Sequence, residues 1–500
     1  MRMRFALTAG AASGALLAMA GTGLAQTLPV SDPYFQQGRD MLLATLAQQP
    51  NTNRARNVIL FVGDGFGVST LTATRIFEGQ SQGLDGESYE LPTDLFPYAA
   101  LSRTYSHDGQ VSDSAPTATA MMTGVKARND VIGVTADVDV GDCAAALAHS
   151  VPTLLELAEI GGRSTGVVST ARITHATPAA TYAHTPVRDW EADSDMPPEA
   201  IAAGCIDIAS QLVGLPYGDG IDVALGGGRA MFIAAETADP EDEGKTGDRT
   251  DGRDLTAEWV DAGGAYVWNM AQFAALDPHG SERVLGLFNR SHMTYEADRA
   301  TDVGGEPSIA EMTAFAIEKL SRNPDGFFLM VEGGRVDHAS HEGNAYRTLT
   351  DAVAFEDAIR TAVGMVDLDE TLIVVTADHS HTLTINGYPE RGNPILGLAA
   401  FHGELLLGDD GLPYTTLSFA NGPGAVQGGA RADLTGVDTT DPDFVQQALV
   451  PMSSETHTGE DVSIHAIGPW AHLFQGVVEQ NYIFHVMDFA SGISGRALSN

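Results

Sequence analysis

Four short runs along the chain are predominantly apolar and show no strict alternation with polar positions. They are N-V-I-L-F-V (57–62), S-T-G-V-V-S (164–169), G-F-F-L-M-V (326–331) and T-L-I-V-V-T (371–376). Short runs rich in Val, Ile or Phe predict strands covered on both faces, as in a parallel sheet. Amphipathic segments lie between them, such as 151–161 and 308–321. The repeating order predicts an α/β fold, with a mostly parallel central sheet sandwiched by helices, in one large domain over 26–500. Two stretches break the rhythm. Residues 236–254 are acidic and Gly-rich and predict a surface loop. Residues 387–450 are rich in Gly, Pro, Asp and Thr and predict an insertion with its own small β structure.

The first residues have a different pattern. A basic start (M-R-M-R), an apolar middle and small residues before Ala25 predict a signal peptide over 1–25. No later run is long and apolar enough to span a bilayer, so the mature chain is expected to be periplasmic or secreted, without a membrane partner. The formal charge is −39. Such a surface repels nucleic acid and anionic membranes, and any anion site needs strong local positive charge. Cys143 and Cys205 are the only cysteines. In an exported chain they are expected to pair.

In open α/β sheets ligands bind beyond the carboxyl ends of the strands. After the first run comes Asp64; after the second, His175 and Thr177; after the third, Glu332, Asp337, His338 and His341; after the fourth, Asp378, His379 and His381. Each has a plainer reading alone: a turn for Asp64, a helical pair for Asp337 and His341, a cap for Asp378. Four strand ends supplying such residues at one sheet edge point to metal ions. Mixed Asp and His ligands suit zinc, and Asp, Glu and Thr oxygens suit magnesium.

The stretch S-D-S-A-P-T-A-T-A (112–120) predicts a helix capped by Ser114, with Pro116 in its first turn and an end near Gly124. No base stands beside Ser114 in sequence. A cation on its oxygen would lower the hydroxyl pKa, and a second cation could stabilise a leaving oxygen. Asp113 is then free to orient Arg188, whose fork suits phosphate oxygens.

Taken together, V-G-D-G-F-G, V-S-D-S-A-P-T-A-T-A-M-M-T-G-V-K-A, H-A-T-P-A-A-T-Y-A-H-T-P-V-R, V-E-G-G-R-V-D-H-A-S-H, T-A-D-H-S-H and E-T-H-T-G-E-D-V resemble the alkaline phosphatases. The resemblance covers most of residues 54–488. It implies hydrolysis of phosphate monoesters through a phosphoserine at Ser114, with Arg188 on the phosphate. It also implies two zinc ions and one magnesium ion per subunit. Asp337, His341 and His457 would hold the first zinc. Asp64, Asp378 and His379 would hold the second, and Thr177 and Glu332 would complete a magnesium site with Asp64. His457 comes from the resemblance alone.

His175 and His338, the Cys143–Cys205 pair and the long segment between His379 and His457 are similar to animal-type members. That segment resembles a crown insertion at a dimer surface, so a homodimer is expected. Asn289 stands where those relatives place a glutamate of a calcium site, and the nearby histidines leave the third metal open to zinc. A diesterase or sulfatase of the same superfamily, or a non-catalytic phosphate- or zinc-binding protein, are the competing readings.

Overall fold

The computed structural model describes residues 28–499, so the expected signal peptide lies outside the described residues. The chain divides into two compact units at Gln49 and Pro50. The first contains the helix Pro33–Ala47, capped by Asp32, whose side chain accepts from the backbone N–H groups of Tyr34 and Phe35. None of that helix's residues is buried.

The second unit is built on a ten-stranded sheet. In chain order its first eight strands are β1 (Asn57–Gly63), β2 (Tyr98–Arg103), β3 (Ser164–Arg172), β4 (Val223–Gly227), β5 (Ala265–Val267), β6 (Val284–Leu287), β7 (Phe327–Gly333) and β8 (Thr371–Ala377). The strands Val462–Ile467 and Val477–Glu479 complete it. Across the sheet the order is Val477–Glu479, β2, Val462–Ile467, β8, β1, β7, β3, β4, β6, β5. Only Val462–Ile467 runs against its neighbours β2 and β8; every other pairing is parallel.

The four apolar runs become β1, β3, β7 and β8, which lie side by side at the centre. β1, β7 and β8 are buried at every position. Their side chains alternate between two cores, because successive residues of a strand face opposite ways. Val58, Leu60, Val62, Phe328, Met330, Leu372 and Val374 enter one core with Ala115, Ala118, Met121 and Met122. Ile59, Phe61, Phe327, Leu329, Val331, Ile373 and Val375 enter the other with Met312, Ala316, Phe355 and Ile359. The uninterrupted apolar sequence is what a strand needs when helices cover both its faces.

Residues 387–450 lie within a segment carrying a three-stranded sheet (Leu383–Ile385, Leu417–Gly422, Ala448–Pro451) and a two-stranded one (Ala400–Phe401, Glu404–Leu405). Leu383, Ile395, Leu396, Leu417 and Phe419 form a separate core against Ala73, Ile76, Ala345 and Leu349. Residues 236–254 form the expected loop, mostly exposed, with a few buried anchors. Asp239 reaches the fully buried Arg229, and Arg249, also fully buried, is held by Asp207 and Asp251. Composition does not show that Arg229, outside the stretch, holds Asp239, or that Arg249, within it, is itself buried.

Candidate active site

Strand register assembles the site. Gly63 at the end of β1 pairs with Gly333 of β7 and Ala377 of β8. Asp64 and Asp378 therefore leave neighbouring strands at one level. Gly65, at φ +68°, donates its N–H to Asp378 Oδ1 at 3.0 Å. A side chain there would collide with the His381 ring, so the turn requires glycine. β3 lies beyond β7 and brings Ser169 beside Glu332. His457, 76 residues beyond His381 in sequence, returns through a two-residue antiparallel pairing, His457 with His381 and Thr458 with Ser380.

The helix Ser114–Thr123 has Asp113, not Ser114, as its N-cap. Asp113 accepts from the Ala115 N–H at 2.8 Å and from the Asp130 N–H at 2.7 Å. A carboxylate caps as well as a hydroxyl, so the Ser114 side chain is released from capping. It is 2 % exposed, and its Oγ lies 3.1 Å from His379 Nε2. The helix ends at Gly124 in the left-handed conformation, as expected. Asp113 Oδ1 also accepts from Arg188 Nη1 at 3.0 Å, while Arg188 Nη2 lies 3.1 Å from His175 Nε2.

Two groups of side chains converge. In one, His379 Nε2 lies 3.5 Å from Asp64 Oδ1 and 3.2 Å from Asp378 Oδ2, and all three residues are fully buried. In the other, Asp337 Oδ1 lies 3.3 Å from His341 Nε2 and 3.2 Å from His457 Nε2, and the two ring nitrogens are 3.1 Å apart. His341 Nδ1 donates to the Glu455 carbonyl and His457 Nδ1 to the Ser112 carbonyl. Those bonds fix the tautomers and leave both Nε2 lone pairs aimed at the shared point. The rings of His379 and His457 stack at 3.5 Å, which joins the two groups. A third group is Asp64, Glu332 and His175, with Thr177 facing Glu332.

The polar atoms show what these groups lack. Both Asp64 carboxylate oxygens, Asp378 Oδ2, Glu332 Oε1, Thr177 Oγ1 and His175 Nδ1 are buried without a hydrogen-bond partner. Burial, then Asp378, Asp337 and Glu332, pushes Asp64 well above the usual carboxylate range. Burial likewise raises Glu332 to about 7. Unpaired buried carboxylates of this kind are tolerated when a cation completes them. The donor sets fit: Asp/His/His and Asp/Asp/His suit zinc, and Asp/Glu/Thr oxygens suit magnesium.

His381 is placed differently. Its Nε2 lies 2.7 Å from Asp337 Oδ1 and its Nδ1 2.5 Å from Glu455 Oε2. Against burial, Asp337 and Glu455 hold it up at about 10. With both nitrogens donating, it has no lone pair for a metal and instead orients Asp337. Glu455 also accepts from the Thr382 N–H and hydroxyl. Sequence reading named His381 only as a strand-end residue and missed Glu455, Ser169 and His292. His292 joins His175 and His338. Burial and neighbouring cationic groups push all three down, and each faces a guanidinium: Arg172, Arg188 and Arg335 respectively for His292, His175 and His338. Asn289 donates to Glu306 at 2.8 Å, an amide donor where the calcium-site expectation needs a carboxylate.

The family model for alkaline phosphatase matches residues 55–493. The chain belongs to the alkaline phosphatase family. It is 45% identical to the tissue-nonspecific isozyme of alkaline phosphatase from Gallus gallus, over 92% of this chain and 90% of that one. It is 46% identical to the alkaline phosphatase of Gadus morhua, over 89% and 94%. Among solved structures, the Thermus thermophilus alkaline phosphatase superposes with a TM-score of 0.64 at 24% identity, covering 91% of this chain and 97% of that one. The enzyme of the Antarctic bacterium TAB5 gives 0.61 at 23% identity, covering 88% and 99%. These two share the fold, a mostly parallel sheet flanked by helices. Family membership makes the chain a metal-dependent phosphatase. The Cys143–Cys205 disulfide is formed, with a Cα–Cα distance of 5.9 Å. Among the described residues no helix is long and apolar enough to cross a membrane.

Proposed function

We propose that this chain hydrolyses phosphate monoesters with Ser114 as the nucleophile, through a phosphoserine intermediate. The observation that carries the assignment is the Ser114 hydroxyl, freed from capping by Asp113 and 3.1 Å from His379 in a nest of unpartnered buried carboxylates. Asp337, His341 and His457 would hold one zinc ion, and Asp64, Asp378 and His379 a second. Asp64, Glu332 and Thr177 would hold magnesium; a variant of the TAB5 enzyme has been solved with Mg in its M3 site. When bound, these ions supply Lewis-acid charge for the nucleophile, the leaving oxygen and the attacking water.

The chain's own groups do the rest. The start of a buried helix holds Oγ beside His379. Arg188 receives two phosphoryl oxygens, and Asp113 fixes the plane of its guanidinium by one N–H. His175 faces the same guanidinium and, held below its usual pKa by burial and by Arg188, adds no charge. His381 and Glu455 lock Asp337 in place, and Ser169 does the same for Glu332. This concentration of cationic demand suits a dianionic monoester better than a diester.

Export through residues 1–25, to the periplasm or beyond, is supported by the signal-like pattern and the disulfide. A homodimer is proposed from the resemblance. The functional test is release of a chromogenic alcohol from an aryl phosphate, repeated after chelation and after return of zinc and magnesium separately and together. Full recovery only with both ions supports the proposal. Recovery with zinc alone would reassign the third site, and faster turnover of a diester or sulfate ester would reject the monoester assignment.

A further inference from the structure

At the opposite edge of the sheet, the chain enters the central strands through arginines. Arg54 and Arg56 precede β1 and Arg163 precedes β3, while Arg496 lies on the C-terminal helix Ile493–Ala497. The four line one cleft of about 760 Å³. Among the described residues, Asp325 is the only carboxylate lining it. Since β1 spans seven residues, this cleft is roughly 20 Å from the Ser114 site.

Part of this charge has a structural task. Arg54 Nε and Arg163 Nη2 both donate to the Ser491 carbonyl, at 3.0 and 2.8 Å, where the helix Tyr482–Ser491 ends. Arg163 Nη1 donates to the Arg56 carbonyl at 2.8 Å. Cations are favourable at a helix C-terminus, but carbonyls do not neutralise a charge. Two carboxylates do: Asp325 pairs with Arg496 at 2.6 Å and Glu370 with Arg56 at 3.4 Å. Among the described residues, that leaves two of the four guanidiniums, Arg54 and Arg163, without a direct ion pair. Arg163 is 4 % exposed, and its Nε is buried without a partner, as is Arg56 Nε. Burial, then Arg54 and Arg496, pushes Arg163 down to about 10. Asp488 also acts on Arg163, on the side that favours its charge, so the cleft keeps a local excess of about one positive charge in a chain of net charge −39.

We propose that this arginine cleft binds a tetrahedral dianion, inorganic phosphate or sulfate, at a site separate from the one that hydrolyses esters. The surplus positive charge favours an oxyanion, and guanidinium forks match the spacing of its oxygens. The site does not depend on the catalytic assignment, and its test reads binding rather than turnover.

Equilibrium dialysis of the metal-loaded protein with radiolabelled sulfate, and separately with radiolabelled phosphate, counts the bound anions. The Arg54→Gln/Arg496→Gln variant should bind one equivalent fewer than the parent while retaining aryl phosphatase activity, and the arm showing the tighter lost equivalent names the preferred anion. At constant ionic strength, sulfate a hundredfold above its Kd should raise the parent's Tm about 3 °C more than the variant's. A second variant guards against misfolding. Gly495 lines the same cleft and has open space beyond its Cα. Gly495→Glu should place a carboxylate among the arginines, abolish the extra equivalent and raise Tm without added anion. Equal stoichiometry in parent and both variants would overturn the site, as would a Gly495→Glu protein that still binds the extra anion.

Discussion

Replacing Arg188 with Ala isolates the group that should read the phosphoryl oxygens. The guanidinium is tied at Nη1 to Asp113 at 3.0 Å and sits beside His175, so its orientation is set before substrate arrives. The fork can supply two charge-assisted hydrogen bonds, each worth about 1.5–3 kcal/mol. Side-chain exposures of 15% for Arg188 and 17% for Asp113 admit some solvent screening, which favours the lower end of that range. Two bonds at about 1.5 kcal/mol each give about 3 kcal/mol, or roughly 10²-fold in kcat/KM. Arg188→Lys keeps a point charge but loses the fork, and should fall only about tenfold. Asp113→Ala should act through the same group. It should weaken inorganic phosphate inhibition several-fold in the parent and have no further effect in the Arg188→Ala background. Initial rates on an aryl phosphate at saturating zinc and magnesium, with phosphate Ki values, measure all of these. An Arg188→Ala enzyme with full metal content and kcat/KM within threefold of the parent would refute the phosphate-clamp role.

Three further outcomes follow from other parts of the molecule. His381→Ala removes the group that orients Asp337 without removing a ligand, so zinc affinity should fall about 10- to 100-fold in a chelator competition; unchanged affinity would reduce His381 to packing. Burial holds Glu159 up at about 9, from 4.5 when free, with Asp222 and Asp219 adding to it. A raised folded pKa means the native state retains the proton, so its stabilising effect is complete below about pH 4.5 and is lost as pH rises to about 9. The full shift sets a ceiling of about 6 kcal/mol, and relaxation around the ion reduces it to about 2–3 kcal/mol. Glu159→Gln should therefore match the parent's Tm near pH 5 and exceed it by about 2–3 °C at pH 10; a constant difference across pH would contradict the reading. The Cys143–Cys205 bridge closes a loop with a sequence separation of 62, worth about 4 kcal/mol in the chain-entropy model. The Cys143→Ala/Cys205→Ala protein should melt about 4 °C lower, and an unchanged Tm would show that other contacts already restrain this loop.

The central sheet was legible because burial on both faces demands continuous apolar runs, and all four became adjacent strands. Reading the residues just past those runs then gathered most of the site, since parallel strands deliver their following residues to one edge. What composition and periodicity miss is tertiary pairing. The two-residue pairing of His457 with His381 leaves no periodic signal, and family resemblance alone pointed to His457. Glu455 sits two residues earlier in the quoted motif, and its function depends on His381 standing opposite. The cap at Asp113 was misread because Ser and Asp are equally good caps in sequence. The Arg188 and Asp130 contacts resolve the ambiguity by drawing Asp113 into the capping position. The stretch 236–254 is the surface loop its composition suggested, but composition did not show that Asp239 anchors buried Arg229 or that Arg249 within the stretch is buried against Asp207 and Asp251.

The most direct measurement is covalent. The metal-loaded protein is mixed with an aryl phosphate labelled in its phosphoryl group, quenched in acid within the first turnovers, and digested for peptide mapping. The account predicts one labelled peptide carrying phosphate on Ser114, and none in Ser114→Ala, whose metal content is unchanged and whose turnover is sharply reduced. Label on another residue, or a Ser114→Ala protein that turns over as fast as the parent, would contradict it.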